Sequence, residues 1–171
     1  MSGEVTIRQA IREDVPAVTG IYNHAILHST ATFDTVEKTL EDRCAWFGKH
    51  TDAFPLLVAT VGDRVVGWAS MQPFGRRRAY HHTVESSVYV DVDHQGRGIG
   101  KQLLGELLAK AREQGHHVVL AQVVGGNEAS KKLHEGLGFS EVGVMREVGR
   151  KLDQWLDVVV YEFILSERVE D

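Results

Sequence analysis

Gln95-Gly96-Arg97-Gly98-Ile99-Gly100 lies between a β-rich run that ends at Val90 to Val92 and a long helical pattern. In that pattern, Gly98 to Gln114, the apolar residues Ile99, Leu103, Leu104, Leu107, Leu108 and Ala111 recur at helical spacing, and Gly115 ends it as a C-terminal cap would. A glycine turn that leads from strand into helix leaves bare backbone N–H groups at a helix N-terminus, a setting suited to a diphosphate. Two other phosphate loops fail on spacing. A Walker loop needs four residues between its outer glycines and then Lys-Ser/Thr, whereas Gly96 and Gly100 enclose three and Lys101 precedes Gln102. A dinucleotide fingerprint needs G-x-G-x-x-G after the first strand of a βαβ unit, and here the spacing is G-x-G-x-G after a fourth strand.

Outward from this turn the chain alternates between the two periodicities. Val5 to Arg8 reads as a short strand, and Glu13-Asp14 with Pro16 opens a helix carrying Val15, Val18, Ile21, Tyr22 and Ala25. After the irregular Ser29 to Asp34, the positions Leu40, Arg43-Cys44 and Phe47 predict a second helix. Leu56 to Val61 and Val65 to Met71 form a hairpin about Gly62-Asp63-Arg64, and Thr83 to Val90 is the next strand. Val118 to Val124 is an apolar run of buried-strand type, Asn127 to Leu137 a helix stopped by Gly138, and Val142 to Met145 and Val158 to Leu165 the last strands. The predicted order is β-α-α-β-β-β-α-β-α-β-β, an α/β sandwich with a mixed sheet.

Bulk properties set limits. A chain of 171 residues suits one domain over residues 1–171, with no repeat, low-complexity stretch or proline-rich linker to mark a boundary. With 24 acidic against 19 basic side chains the formal charge is −5, which argues against nucleic acid or anionic lipid as a partner. Cys44, the single cysteine, excludes an intramolecular disulfide and a cysteine-based metal cluster and fits a reducing compartment. No secretory pattern and no membrane-length apolar run occurs, so a soluble cytoplasmic protein is expected. Nine histidines include His24 and His28 four apart, without a third ligand at matching spacing, so no metal is expected. Trp46, Trp68 and Trp155 read as core or subunit-interface residues.

Gln95 to Gly100 resembles the Q/R-x-x-G-x-G/A motif of the GCN5-related N-acetyltransferase (GNAT) superfamily. Further blocks, Ile21 to His24, Thr83 to Val90, His94 to Gly100, Leu133 to Phe139 and Trp155 to Val158, together resemble its phosphinothricin and methionine sulfoximine/sulfone acetyltransferase branch. The resemblance implies a three-layer fold with a mixed sheet of about six to seven strands and about four helices, acetyl-CoA as co-substrate, and a homodimer, which the apolar Val158 to Leu165 strand could serve unless it is interior sheet. It implies acetylation of the α-amino group of a small amino-acid analogue.

The same resemblance assigns residues. Gln95, Gly96, Arg97, Gly98, Ile99, Gly100 and Lys101 hold the pyrophosphate. Val88, Tyr89 and Val90 line the acetyl and pantetheine arm, Val88 and Val90 through their backbone. Asn127 contacts the coenzyme or serves as an ordinary N-cap, roles that are compatible. An α-ammonium with a pKa of roughly 8 needs a base before it can attack. Glu85 is the candidate, on the strand face it shares with Ser87 and Tyr89 while Val84, Ser86, Val88 and Val90 take the other; the alternative is an edge carboxylate facing water. His134 stands where many superfamily members carry an acid tyrosine, and is either a proton donor or a hydrogen-bonded core histidine. Phe33, Gly75, Arg76, Arg77, Glu85, Ser86 and Ser87 are the acceptor candidates, guanidinium groups being able to fork onto a carboxylate or sulfonyl oxygen pair, although arginine loops also occur as solvated surface. Competing functions are acetylation of peptide or protein N-termini or of another amine, and a non-catalytic acetyl-CoA-binding module.

Overall fold

Strand β1 (Val5–Gln9) hands the chain to α1 (Val15–His28) through one 3-10 turn, in a computed structural model that describes residues 3–165. Pro16 sits in the first helical turn, where its missing N–H costs nothing. The buried Asp14 fixes the entry: its carboxylate accepts from the Ile11 amide at 2.8 Å and from both Arg8 Nη atoms at 2.6 and 2.9 Å. A reciprocal Thr39/Asp42 capping box starts α2 (Leu40–Phe47). There follow β2 (Leu56–Val61), β3 (Arg64–Pro73), β4 (Thr83–Val90), α3 (Ile99–Glu113), β5 (Val118–Val124), α4 (Glu128–Gly136), β6 (Ser140–Lys151) and β7 (Gln154–Ile164). The element order is the one expected.

The seven strands among the described residues form one sheet in the order β1-β2-β3-β4-β5-β7-β6. Every neighbouring pair is antiparallel except β4 and β5. One face packs on α3 and α4 through Leu57, Ala69, Met71, Val84, Leu103, Leu104, Leu107, Val119 and Tyr161. The other packs on α1 and α2 through Leu56, Val58, Trp68, Val18, Tyr22 and Trp46. A three-layer sandwich results, with both faces of the central strands out of water. Among the described residues no helix is long and apolar enough to cross a membrane, and no three His, Cys, Asp or Glu side chains gather as metal ligands would.

The C-terminal strands are longer than expected. The last strand lies between β5 and β6, so it is interior sheet, and the exposed edge belongs to β6. Both strands run on past Met145 and ahead of Val158 to meet in a two-residue turn, Leu152-Asp153, at φ 49° and 60°. Positive φ at both turn residues matches the twist of a hairpin, but the usual Asn-Gly or Asp-Gly signal is absent. Between Met145 and Gly149 the pairing skips, Glu147 takes φ 49°, and its amide donates to Asp157 Oδ1 at 2.7 Å. This bulge interrupts the period-2 pattern.

Candidate active site

β4 and β5 pair over only three positions, Thr83 with Val118, Val84 with Val119 and Glu85 with Leu120. β3 meanwhile stays paired along β4 as far as Val90. From Ser86 onward the β5-facing edge of β4 therefore lacks a strand partner, and Val88, Tyr89 and Val90 border a wedge between two parallel strands. Glu85 stands at its apex. Its carboxyl is half-buried, and desolvation pushes its pKa above the ordinary carboxylate range, with a hydrogen bond to Gln122 of β5 acting the other way. A carboxylate so raised is a stronger proton acceptor than an exposed glutamate.

At the mouth of the wedge the glycine turn enters α3. Gly96 and Gly98 have φ 74° and 76°, and a Cβ on either would meet no atom within 4 Å. Gly98 is the N-cap in the left-handed region, so its glycine is required by the backbone and not by crowding. The flanks are tied down: Gln95 Nε2 donates to Val90 O at 3.2 Å and Arg97 Nη2 to Asp93 O at 3.1 Å. Ile99 turns its side chain into the core at 2 % exposure, leaving only its amide to the turn. Lys101 is exposed on the first turn of the helix. The first amides of α3 have no partner within the helix and carry the positive end of its dipole. A coenzyme A pyrophosphate fits this clear, amide-rich turn, and its pantetheine arm fits an unpaired strand edge.

On the α1–α2 face, which Glu85 shares, Tyr89 lies over Trp68 with ring centroids 4.8 Å apart and meets Tyr22 edge-on at 5.1 Å. Arg43 lies beneath, 5 % exposed, its guanidinium 3.5 Å from the Trp46 ring centroid and 4.9 Å from that of Tyr22. Burial lowers its pKa to about 10, while Tyr22, Asp34 and Tyr89 hold it up, and its Nε and Nη2 have no hydrogen-bond partner among the described residues. Cation–π attraction thus replaces hydrogen bonds in this pedestal. The loop joining α1 to α2 covers it: Tyr22 Oη donates to Asp34 Oδ2 at 2.5 Å and contacts Thr32 Oγ1 at 3.0 Å. The sequence pattern reads Arg43 as one position of an amphipathic helix; a buried cation leaves no periodic signal.

The remaining candidates divide. Ser87 shares the Glu85 face, but Ser86 points to the opposite one, buried and donating to Leu120 O at 3.2 Å, so its side chain is not offered to an acceptor beside Glu85. Phe33 lies in the α1–α2 loop with its ring against Gly149. Gly75, Arg76 and Arg77 are exposed in the β3–β4 loop, where Gly75, at φ 68°, receives the Tyr80 ring. Asn127 is the N-cap of α4, accepting from the Ser130 amide at 3.1 Å. His134 is 4 % exposed, between Phe139 and Tyr161. Its Nδ1 lies 2.8 Å from Ser130 O, and a carbonyl only accepts, so Nδ1 carries a proton and, in the neutral imidazole, Nε2 is bare. Burial also lowers its pKa against the help of that bond. In this state His134 is a satisfied core histidine with no Nε2 proton to give. Gln122 is a functional candidate absent from the sequence reading, because only the β4–β5 register places it beside Glu85.

The chain belongs to the acetyltransferase (GNAT) family, whose model matches residues 20–139. The chain is 40 % identical over 167 residues to the L-amino acid N-acyltransferase MnaT of Escherichia coli (strain K12), covering 97 % of each. It is 38 % identical over 164 residues to the L-methionine sulfoximine/L-methionine sulfone acetyltransferase of Salmonella typhimurium, covering 95 % of this chain and 96 % of that one. The crystal structure of a phosphinothricin acetyltransferase from Sinorhizobium meliloti, in complex with AcCoA, superposes with a TM-score of 0.93 at 32 % identity, covering 99 % of this chain and 91 % of that one.

Proposed function

We propose that this protein transfers an acetyl group from acetyl-CoA to the α-amino group of a small amino-acid analogue of the phosphinothricin, methionine sulfoximine or methionine sulfone type. The observation that carries this is Glu85, a desolvated carboxylate held at the point where β4 leaves β5. Gly96 to Lys101 hold the pyrophosphate, and Val88 to Val90 the arm that ends in the acetyl group. When bound, acetyl-CoA supplies an activated thioester carbonyl. Glu85, directly or through one water, takes a proton from the acceptor ammonium and leaves the free amine that attack requires. Gln122 orients the carboxylate for this. Solvent reprotonates the departing thiolate, since His134 Nε2 carries no proton.

The acceptor lies on the α1–α2 face of β4, between the Ser87 and Tyr89 side chains and the loop that carries Phe33. Arg76 and Arg77 provide the positive charge for its carboxylate or for its sulfonyl or phosphinyl oxygens. The reading extends to a cytoplasmic detoxifying enzyme, in line with a lone cysteine and an acceptor class of toxic analogues. It also extends to a homodimer formed through the β6 edge. The test is release of CoA thiol with methionine sulfone, methionine sulfoximine, phosphinothricin, polyamines and short peptides as acceptors. Turnover concentrated in the first three is expected. Binding of acetyl-CoA with none of the three turned over refutes the acceptor.

A further inference from the structure

Residues 31–34 of the α1–α2 loop are fastened from two sides, and one of those sides is the far end of the β6–β7 hairpin. Lys151 is only 6 % exposed, and its Nζ donates to Thr32 O at 2.7 Å. Two residues earlier, on the same face of β6, Gly149 receives the Phe33 ring. A Cβ on Gly149 would stand 2.2 Å from Phe33 Cε2 and 2.7 Å from Cδ2 and Cζ. Gly149 is not among the glycines with positive φ, so close approach of the ring, not backbone conformation, keeps a side chain out.

From the opposite side Tyr22 holds Thr32 and Asp34 through its hydroxyl, and the Asp34 amide donates to Thr32 Oγ1 at 3.2 Å. A buried ammonium is costly unless paired. Here its bond is to the one backbone carbonyl that immediately precedes Phe33. The hairpin turn Leu152-Asp153 sets the register that brings Lys151 opposite Gln154 and so delivers both contacts to the loop.

We infer that Gly149 and Lys151 are positioning residues for acceptor specificity: they hold the Phe33 ring as a fixed apolar wall against which the side chain of a small amino-acid acceptor packs. This rests on the placement of the acceptor beside Phe33 in the proposed function. Neither residue touches the coenzyme turn, so their effect is confined to the acceptor.

The experiment pairs two measurements on the full chain carrying Lys151→Met, Gly149→Ala or Lys151→Arg, each checked for wild-type circular dichroism. Hydrogen exchange of the Ala31 and Asp34 amides, both bonded within the loop, reads the clamp directly. Steady-state kinetics with methionine sulfone and acetyl-CoA reads its consequence. Lys151→Met and Gly149→Ala are expected to speed exchange and to raise KM for methionine sulfone, Lys151→Met by about ten- to a hundredfold, the range for losing one charge-assisted hydrogen bond, and Gly149→Ala by displacing the Phe33 ring. KM for acetyl-CoA stays at the wild-type value, and Lys151→Arg recovers most of the loss. Unchanged exchange in both disruptive variants overturns the clamp, and so does an equal rise in both KM values. Faster exchange with an unchanged methionine sulfone KM overturns the specificity role alone. If the wild type turns over no amino acid, the proposed acceptor fails, and exchange by itself decides whether the clamp exists.

Discussion

Glu85 and Gln122 face each other across the one parallel strand pair among the described residues, where desolvation and their hydrogen bond push the Glu85 pKa in opposite directions. Desolvation raises the Glu85 pKa, so the ionised, proton-accepting form gains population as pH rises through that raised value. The acid limb of kcat/KM, measured across pH with methionine sulfone, is expected above the ordinary carboxylate range. Glu85→Gln lowers kcat/KM at neutral pH by about 10² to 10⁴, the usual worth of a general base. The deficit narrows at alkaline pH, where free amine is abundant, and a pH-independent deficit would remove Glu85 from the base role. Gln122→Leu takes away the hydrogen bond that lowers the Glu85 pKa, so the acid limb should move further up in the same pH series. An unmoved limb would exclude Gln122 as its partner.

At the level of elements, the strand–turn–helix unit around α3 was readable because its signals are local. Apolar residues at helical spacing, glycines at positive φ and a capping Gly115 all act within one segment, and the structure reproduces that unit to within a residue or two. The prediction here is Gly98→Ala. Its left-handed φ makes an alanine strained by roughly 1–2 kcal/mol, with no clash to add, since a Cβ meets nothing within 4 Å. Urea denaturation should show that loss, and KM for acetyl-CoA should rise as the turn distorts. The β6–β7 hairpin was not readable in the same way. Leu152-Asp153 lacks a glycine at its positive-φ positions, and the bulge at Glu147 shifts the alternation, so Arg146 to Asp157 reads as polar and irregular. Cross-strand pairing pays for what the local residues disfavour, and Phe33, Gly149 and Lys151 meet only because of it.

The whole molecule ends in an unprotected edge. β6 exposes Val142, Val144, Met145 and Val148 at 58, 47, 39 and 52 %, and a long apolar edge strand invites another chain unless covered. For the proposed homodimer the expected result is a dimer by sedimentation velocity that Val144→Glu converts to monomer. A wild-type monomer at micromolar concentration would refute it. The sequence alone determined the element order, the glycine turn that leads into α3 and the strand face that Glu85 occupies, because periodicity, glycine placement and side-chain alternation are properties of contiguous residues. Only the tertiary structure decided that β4 and β5 part after Glu85, that the C-terminal strand is interior while β6 is the edge, that Ser86 and His134 are committed to backbone carbonyls, and that Arg43 is buried beneath Tyr22, Trp46 and Trp68. These are outcomes of pairing register and of burial between residues far apart in the chain, and register is set by which faces of the sheet can be kept from water.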